Sequence, residues 1–428
     1  MSELRALLID AARRGVMPVT SVCNMGCVFC SHRYNPEGVQ VARVGHRPLG
    51  EILEDVRYLP RRGRIVLGES ATRVIEGELF THPDALSIIR GISRARPGQE
   101  ISVTTNGSCL NAGLVEELAA IPGLEMTVSL NSANSENRYR LMHDTEPERA
   151  IEAIGLLASA GVRFHGSLVA MPSLVGEDDV RATIRALDRW GALTVRVIHP
   201  GFSRMAPKHL FQDRETLARL VKEEAARTRM PVMLEPPALQ DLSARTAGAI
   251  RGSPADRAGL VRDDVIERVN DVVAKSRVHA YRLLFDAGHP EVTYVRGGER
   301  RQVTLEKRPE SSSGLVFEYD ADVEVIPRVR RVMKRRGLRA VTVGCSVLAY
   351  ECMRLMLAGV RGVTARPVAN RFFGGNIGCA GLLTFQDILS EMKPGEHMVV
   401  DGRFVDINRE DLTGRTKPDC VRDCLILL

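Results

Sequence analysis

The stretch Met17-Pro18-Val19-Thr20-Ser21-Val22-Cys23-Asn24-Met25-Gly26-Cys27-Val28-Phe29-Cys30 decides how the rest of the chain is read. Met17–Thr20 reads as a first β-strand, and three cysteines follow it closely on what must be a loop. Three thiolates at this spacing can each ligate one iron of a cubane cluster and leave the fourth iron without a protein ligand. The amine and carboxylate of an amino acid can chelate that open iron. An electron from the cluster can then enter a bound sulfonium and break a carbon–sulfur bond, releasing a carbon radical. A structural zinc site would want four ligands, commonly in two pairs, and no second pair is near.

Working outward, six strands are expected at Met17–Thr20, Arg64–Leu67, Ile101–Thr104, Glu125–Ser129, Arg163–Ala170 and Thr194–Ile198. Helical patterns separate them at Glu51–Tyr58, Pro83–Ser93, Ala112–Ala120, Glu148–Ala160, Asp178–Arg189 and Arg214–Thr228. Strict βα alternation predicts a parallel sheet whose functional groups lie where strands end. Six units are too few for a closed eight-fold barrel, so the fold class is α/β with a partial (β/α)6 TIM-like barrel. Breaks at Pro231–Pro237 and at Pro309-Glu310-Ser311-Ser312-Ser313-Gly314 divide the chain into residues 1–237, 238–310 and 311–428. They predict a barrel, a small β-rich module and a C-terminal α/β module.

Composition narrows the class. The chain has 428 residues, 44% of them hydrophobic, as in a globular protein able to bury a core. Its first residues lack a secretory pattern and no apolar run is long enough to span a bilayer, so a cytoplasmic protein with no membrane partner is expected. In that reducing compartment, nine cysteines, three of them clustered, read as metal binding rather than a disulfide framework. The net charge of +6 is mostly interspersed. Its one basic run, Arg328 to Arg339, alternates with Ile326, Val329, Val332, Met333 and Leu338, the pattern of an amphipathic helix. Interleaved aromatics and a binding motif are missing, which argues against a nucleic-acid partner.

The order of motifs behind the cysteines resembles the radical S-adenosylmethionine superfamily. Leu67-Gly68-Glu69-Ser70 stands where that family carries Gly-Gly-Glu-Pro, although Leu67 and Ser70 depart from it. Thr105-Asn106-Gly107 ends the third predicted strand and Ser129-Leu130-Asn131-Ser132 the fourth, as in many members. The resemblance implies a 4Fe-4S cluster on Cys23, Cys27 and Cys30, and S-adenosylmethionine held by Phe29, Gly68, Glu69, Ser129 and Asn131. It further implies a 5′-deoxyadenosyl radical, an external flavodoxin- or ferredoxin-like electron donor, and a small-molecule or peptide substrate. It names no catalytic acid or base. Each supporting motif also has a plain structural reading as a turn or cap, and His199, isolated at the end of the sixth strand, reads as structural.

Gly252-Ser253-Pro254-Ala255 through Asn270 resembles a bacterial PDZ domain, with a helix after Ser253, a strand holding Ile266 and Val269, and a hairpin at Gly297-Gly298. Such domains bind peptides by strand addition; a spacer or brace is the alternative. In the last region, Arg339–Val343 reads as a strand and Ser346 as the cap of a helix to Leu357. The run from Asn370 to Thr384 resembles the signature of an uncharacterised domain known beside PDZ and radical S-adenosylmethionine domains, in an iron–sulfur oxidoreductase family. Cys352 is expected in the core. Cys420 and Cys424 share a face if the tail is helical, and packing is preferred over an auxiliary cluster with Cys345 or Cys379. An adaptor working through the PDZ-like module, its cluster structural, is the alternative to an enzyme.

Overall fold

The computed structural model describes residues 2–421 and 423–428. Its contacts gather into two compact units: residues 1–220 with 373–377 and 403–416, and the remainder. Six parallel strands follow one another in sheet order: β1 (Ile65–Leu67), β2 (Ile101–Thr105), β3 (Leu124–Ser129), β4 (Arg163–Val169), β5 (Val195–Ile198) and β6 (Val232–Glu235). The first five belong to the first unit, and β6 lies near the start of the second.

The number of strands matches expectation but the membership does not. Met17–Thr20 is extended yet forms no ladder beyond one bridge, Val16 to Val66. The reason is local: the backbone N–H groups of Val19 and Thr20 donate to the Glu76 carboxylate instead of to a strand, at 2.9 and 3.1 Å. β6 arises inside the Pro231–Pro237 stretch, where the prolines mask four residues that are apolar but for Glu235.

Alternation along each strand gives the sheet two unlike faces. Leu67, Val103, Met126, Val128, Leu168, Val195 and Val197 are fully buried on one face. There the helix Glu177–Arg189 lies so close over Gly166 that a Cβ would come within 2.5 Å of Leu187. The other face carries Ser102, Thr104, Thr127, Ser129, Ser167 and Arg196, which fall together in register. Near the N-terminal strand ends, Glu125 of this face accepts from Arg163 at 2.9 Å and Arg64 at 3.1 Å. Burial pushes the Glu125 carboxyl up, but His165 and the two arginines outweigh it and hold it at about 2.

The second unit contains an antiparallel sheet ordered β11–β10–β8–β9, built from β8 (Val265–Val269), β9 (Val272–Val273), β10 (Glu291–Arg296) and β11 (Glu299–Thr304). β7 (Gly248–Ala249) pairs with β12 (Leu315–Val316). The helix after Ser253, the strand burying Ile266 and Val269, and the Gly297-Gly298 hairpin all form as expected. The core of this module does not stop at residue 310: Leu315 is buried in it and Phe317 packs against it.

A second, all-parallel sheet runs β14–β13–β15–β16, from β13 (Val341–Ser346), β14 (Val363–Val368), β15 (Met398–Val400) and β16 (Leu425–Leu427). The basic run falls on the helix Val325–Arg336, with Val329 and Val332 buried. β13 continues through Ser346, so that residue is no helix cap; the helix Tyr350–Leu357 starts from Ala349 without a side-chain cap. The tail is not helical across Cys420 and Cys424, because a single 3-10 turn leads straight into β16. Among the described residues no helix is long and apolar enough to cross a membrane.

Two late segments return to the first unit for physical reasons. Arg73 is buried at φ 62° and pairs with Asp406 at 2.6 Å and Glu410 at 2.5 Å, Asp406 being wholly enclosed. Asn376 accepts from Phe202 N–H at 2.6 Å and donates to the Pro200 carbonyl at 2.9 Å. Removing one member of a buried ion pair strands the other, at about 3–5 kcal/mol. Arg73→Ala should therefore lower urea-unfolding stability by about that much and expose residues 403–416 to proteolysis, while a surface control such as Arg149→Ala changes neither.

Candidate functional site

The cysteine loop is held at both ends by backbone rather than by its own side chains. Upstream, Gly77 N–H donates to Thr20 O at 2.7 Å and Glu78 N–H to Val22 O at 2.8 Å, while Ser21 Oγ donates to Ile75 O at 2.5 Å. Gly77 has no alternative, since a Cβ there would lie 2.0 Å from the Val22 carbonyl oxygen. Downstream, Gly26 and Val28 N–H donate to Met142 O and Leu141 O, both at 2.9 Å, at the end of the helix Ser135–Met142. Cys27, Val28 and Phe29 pack against an apolar cluster of Leu141, Met142, Met171 and Phe202.

These anchors leave Cys23 and Cys30 exposed and Cys27 half-buried, all three as free thiols. Burial, then the neighbouring Cys23 and Cys30, pushes the Cys27 thiol up to about 12. Thiols that disfavour one another's ionisation are the donor set an iron cluster would neutralise. Among the described residues, no three His, Cys, Asp or Glu side chains converge on one point as a single ion requires. A cubane asks for a wider triangle, one thiolate per iron, and the loop fits it.

A shell of buried polar groups backs the loop. Glu78 is buried and accepts from Thr105 Oγ1 and Asn106 N–H, both at 2.7 Å. Burial pushes its carboxyl up against those bonds, and its charge reaches Cys23. Asn106 Nδ2 donates to Asn24 Oδ1 at 2.9 Å, inside the cysteine motif. Arg138, fully buried, pairs with Asp144 at 2.6 Å and donates to Asn106 O and Leu130 O at 2.7 and 2.5 Å. Thr105-Asn106 is thus tied to both the Glu78 side and the loop.

The residues expected from the sequence separate into groups. Cys23, Cys27, Cys30 and Phe29 share one loop. Gly68 takes φ 76° at the end of β1, where a Cβ would meet Thr104 O at 2.2 Å. Glu69 accepts from Thr104 Oγ1 at 2.9 Å and lies 3.9 Å from Arg196. Ser129 ends β3 on the polar face of the sheet. Asn131 is committed structurally: at φ 61° its Oδ1 accepts from Val169 N–H at 2.8 Å and its Nδ2 donates to Ser129 O at 3.1 Å. His199 is buried, its Nε2 3.1 Å from the Gln212 carbonyl oxygen.

What sequence reading passed over is the second Gly-Glu pair, Gly77-Glu78, nine residues after Gly68-Glu69. That recurrence was the available signal, and the segment it marks is the one lying against the cysteine-bearing strand. Glu76 beside it is equally silent in the sequence. Its Oε1 takes the Val19 and Thr20 N–H groups, its Oε2 is buried with no partner, and burial pushes the carboxyl up to about 8.

A carboxyl raised in the folded state keeps a proton that the unfolded chain releases from about 4.5 upward. The wild type should therefore lose stability as pH rises from about 4.5 to about 8 and level off above. Glu76→Gln keeps the acceptor without the titration, so it should gain on the wild type between pH 6 and pH 9 in paired urea titrations.

The Radical SAM superfamily model matches residues 17–187. The AdoMet-dependent heme synthase of Methanosarcina barkeri is 28% identical over 159 residues, 37% of this chain and 42% of that protein. The GTP 3′,8-cyclase of Peptoclostridium acidaminophilum is 25% identical over 163 residues, 37% of this chain and 47% of that protein. The chain thus spans less than half the length of these curated relatives. Among solved structures, Streptococcus suis SuiB bound to precursor peptide SuiA aligns at TM-score 0.41 and 16% identity, over 51% of this chain and 48% of that one. A radical SAM methyltransferase from Sphaerobacter thermophilus aligns at TM-score 0.39 and 21% identity, over 51% and 65%. Residues 17–187 are a domain of the radical SAM superfamily, whose members are enzymes that use a 4Fe-4S cluster and S-adenosylmethionine.

Proposed function

We propose that the chain is an enzyme in which Cys23, Cys27 and Cys30 hold a 4Fe-4S cluster and S-adenosylmethionine is cleaved beside it. The observation that carries this reading is the cysteine loop itself: three free thiols, presented by backbone anchors at both ends and tied to no other partner in the fold. When bound, the cluster supplies one electron to the sulfonium, giving methionine and a 5′-deoxyadenosyl radical that acts on the substrate.

The chain's own residues position and exclude. Phe29, packed on the apolar cluster behind the loop, and Ser129, at the end of β3, border the nucleoside. Glu78 supplies the carboxylate for the methionine amine, in place of Glu69, because its charge is felt at Cys23 and its partners Thr105 and Asn106 link it to Asn24. Gly68 and Asn131 shape the strand exits through their positive φ. The electron comes from an external donor of the flavodoxin or ferredoxin type, since the fold offers a single cysteine trio.

Residues 238–310 are read as a PDZ-like module and residues 311–428 as an α/β module, with β12 joining the former's core. Pairing of β7 with β12 supports a bracing role, because that edge of the short strand is filled by the chain itself.

The deciding experiment is anaerobic reconstitution, reduction with dithionite and chromatography for methionine and 5′-deoxyadenosine. The wild type should bind about four irons per chain and form both products. The Cys23, Cys27 and Cys30 triple alanine variant should lose the iron and both products, whereas Cys420→Ala with Cys424→Ala should leave total iron unchanged. Glu78→Gln should keep the iron and weaken S-adenosylmethionine binding at least tenfold, with Glu69→Gln much less affected. Products from the triple variant at the wild-type level would end this reading.

A further inference from the structure

The polar face of the sheet has a composition that the fold does not require. The inner face of a parallel barrel is ordinarily filled by branched apolar side chains. Here Thr104 pairs in register with Thr127 across β2 and β3, and Ser167 with Arg196 across β4 and β5. Hydroxyl side chains this small leave space above the strands where apolar ones would close it. Glu69, at the exit of β1, leans over the same face: its carboxylate accepts from Thr104 Oγ1 at 2.9 Å and stands 3.9 Å from the Arg196 guanidinium. Both charged side chains keep access to solvent, Glu69 at 43% and Arg196 at 33% of full exposure.

Their spacing matters. At 3.9 Å the two are attracted but lie beyond hydrogen-bond range, so a ligand can enter between them without first breaking a bidentate bond. Placing opposite charges at the strand ends of a half-buried face costs desolvation that a purely structural pair rarely returns. A ligand bearing both charges returns it. Its carboxylate would meet the planar fork of Arg196, which suits that group, and its ammonium would meet Glu69, oriented by Thr104. Ser167 and Thr127 add hydroxyls beside them.

The geometry points to Glu69, Thr104, Thr127, Ser167 and Arg196 as the substrate-recognition floor, and to a small zwitterion, a free α-amino acid, as the substrate class. This inference deepens the radical reading and relies on it only for what happens after binding.

The test uses the full-length chain and a panel of the common α-amino acids, each beside the amine lacking its carboxylate and the acid lacking its amine. Ligand-observed NMR and thermal shift report binding, with and without S-adenosylmethionine. At least one amino acid should bind, and its two truncated partners should bind at least tenfold more weakly. Arg196→Gln and Glu69→Gln should each lose binding tenfold or more, with far-UV circular dichroism unchanged, and Arg196→Lys should recover part of it. Binding should persist when S-adenosylmethionine is present.

No amino acid bound, equal binding of the truncated partners, or full binding by a folded Arg196→Gln variant would overturn the floor. So would displacement by S-adenosylmethionine, which would give these residues to the cofactor's own methionine end. Formation of 5′-deoxyadenosine, measured in parallel on wild type and Arg196→Gln, separates the two ideas. Its absence from the wild type removes the radical reading, whatever the panel shows. Its presence in both proteins, with amino-acid binding lost in the variant, supports both.

Discussion

The acceptance of the Val19 and Thr20 amides by a single carboxylate, Glu76, is the constraint on which the site rests. It removes those residues from the sheet ladder and ends the strand one would expect there. The chain is delivered to Cys23 along a path fixed by Glu76, Gly77 and Glu78. Because backbone groups must be paired wherever water cannot reach them, this exchange leaves the extended segment little freedom. The cysteines then depend on the helix end at Leu141 and Met142 for their other anchor. A loop held at both ends by main-chain bonds can keep its side chains unpartnered, as a cluster ligand set must be.

The second organising fact is the division of the sheet into an apolar face under helices and a polar face without them. Its origin is the period of two along each strand. Near the N-terminal strand ends the polar face is closed by charge, where Glu125 gathers Arg64, Arg163 and His165. Toward the C-terminal ends it holds small hydroxyls and the Glu69–Arg196 pair. Parallel strands present their functional groups where they end and loops begin, and the gradient of side-chain size along this face agrees with that placement.

Late parts of the chain complete the first unit. The Phe-Gly-Gly-Asn run, distinctive in the sequence, has a plain physical use: Gly375 passes where a Cβ would lie 2.0 Å from Phe202 O, and Asn376 closes the loop at Pro200 with both ends of its amide. Arg73, in a left-handed conformation that its type avoids, is held there by carboxylates more than three hundred residues away. Strain of this kind persists where surrounding bonds over-determine the backbone.

The sequence by itself determined the βα alternation, five of the six strands and the three cysteines, because strand periodicity and ligand spacing are local properties carried by neighbouring residues. It also marked the helix at Ser253, the strand of Ile266 and Val269, and the hairpin at Gly297-Gly298. Tertiary structure alone decided the rest. It turned Met17–Thr20 from a strand into a clamped approach, found β6 between prolines, and drew Leu315 into the β-rich module. It also chose between two Gly-Glu pairs: Gly77-Glu78 stands against the cysteine-bearing segment, while Glu69 faces Arg196. Those outcomes depend on which distant carboxylate or carbonyl satisfies a given amide. Hydrogen-bond partners such as Val19 and Glu76, or Arg73 and Asp406, are joined through space, and no periodicity along the chain records them.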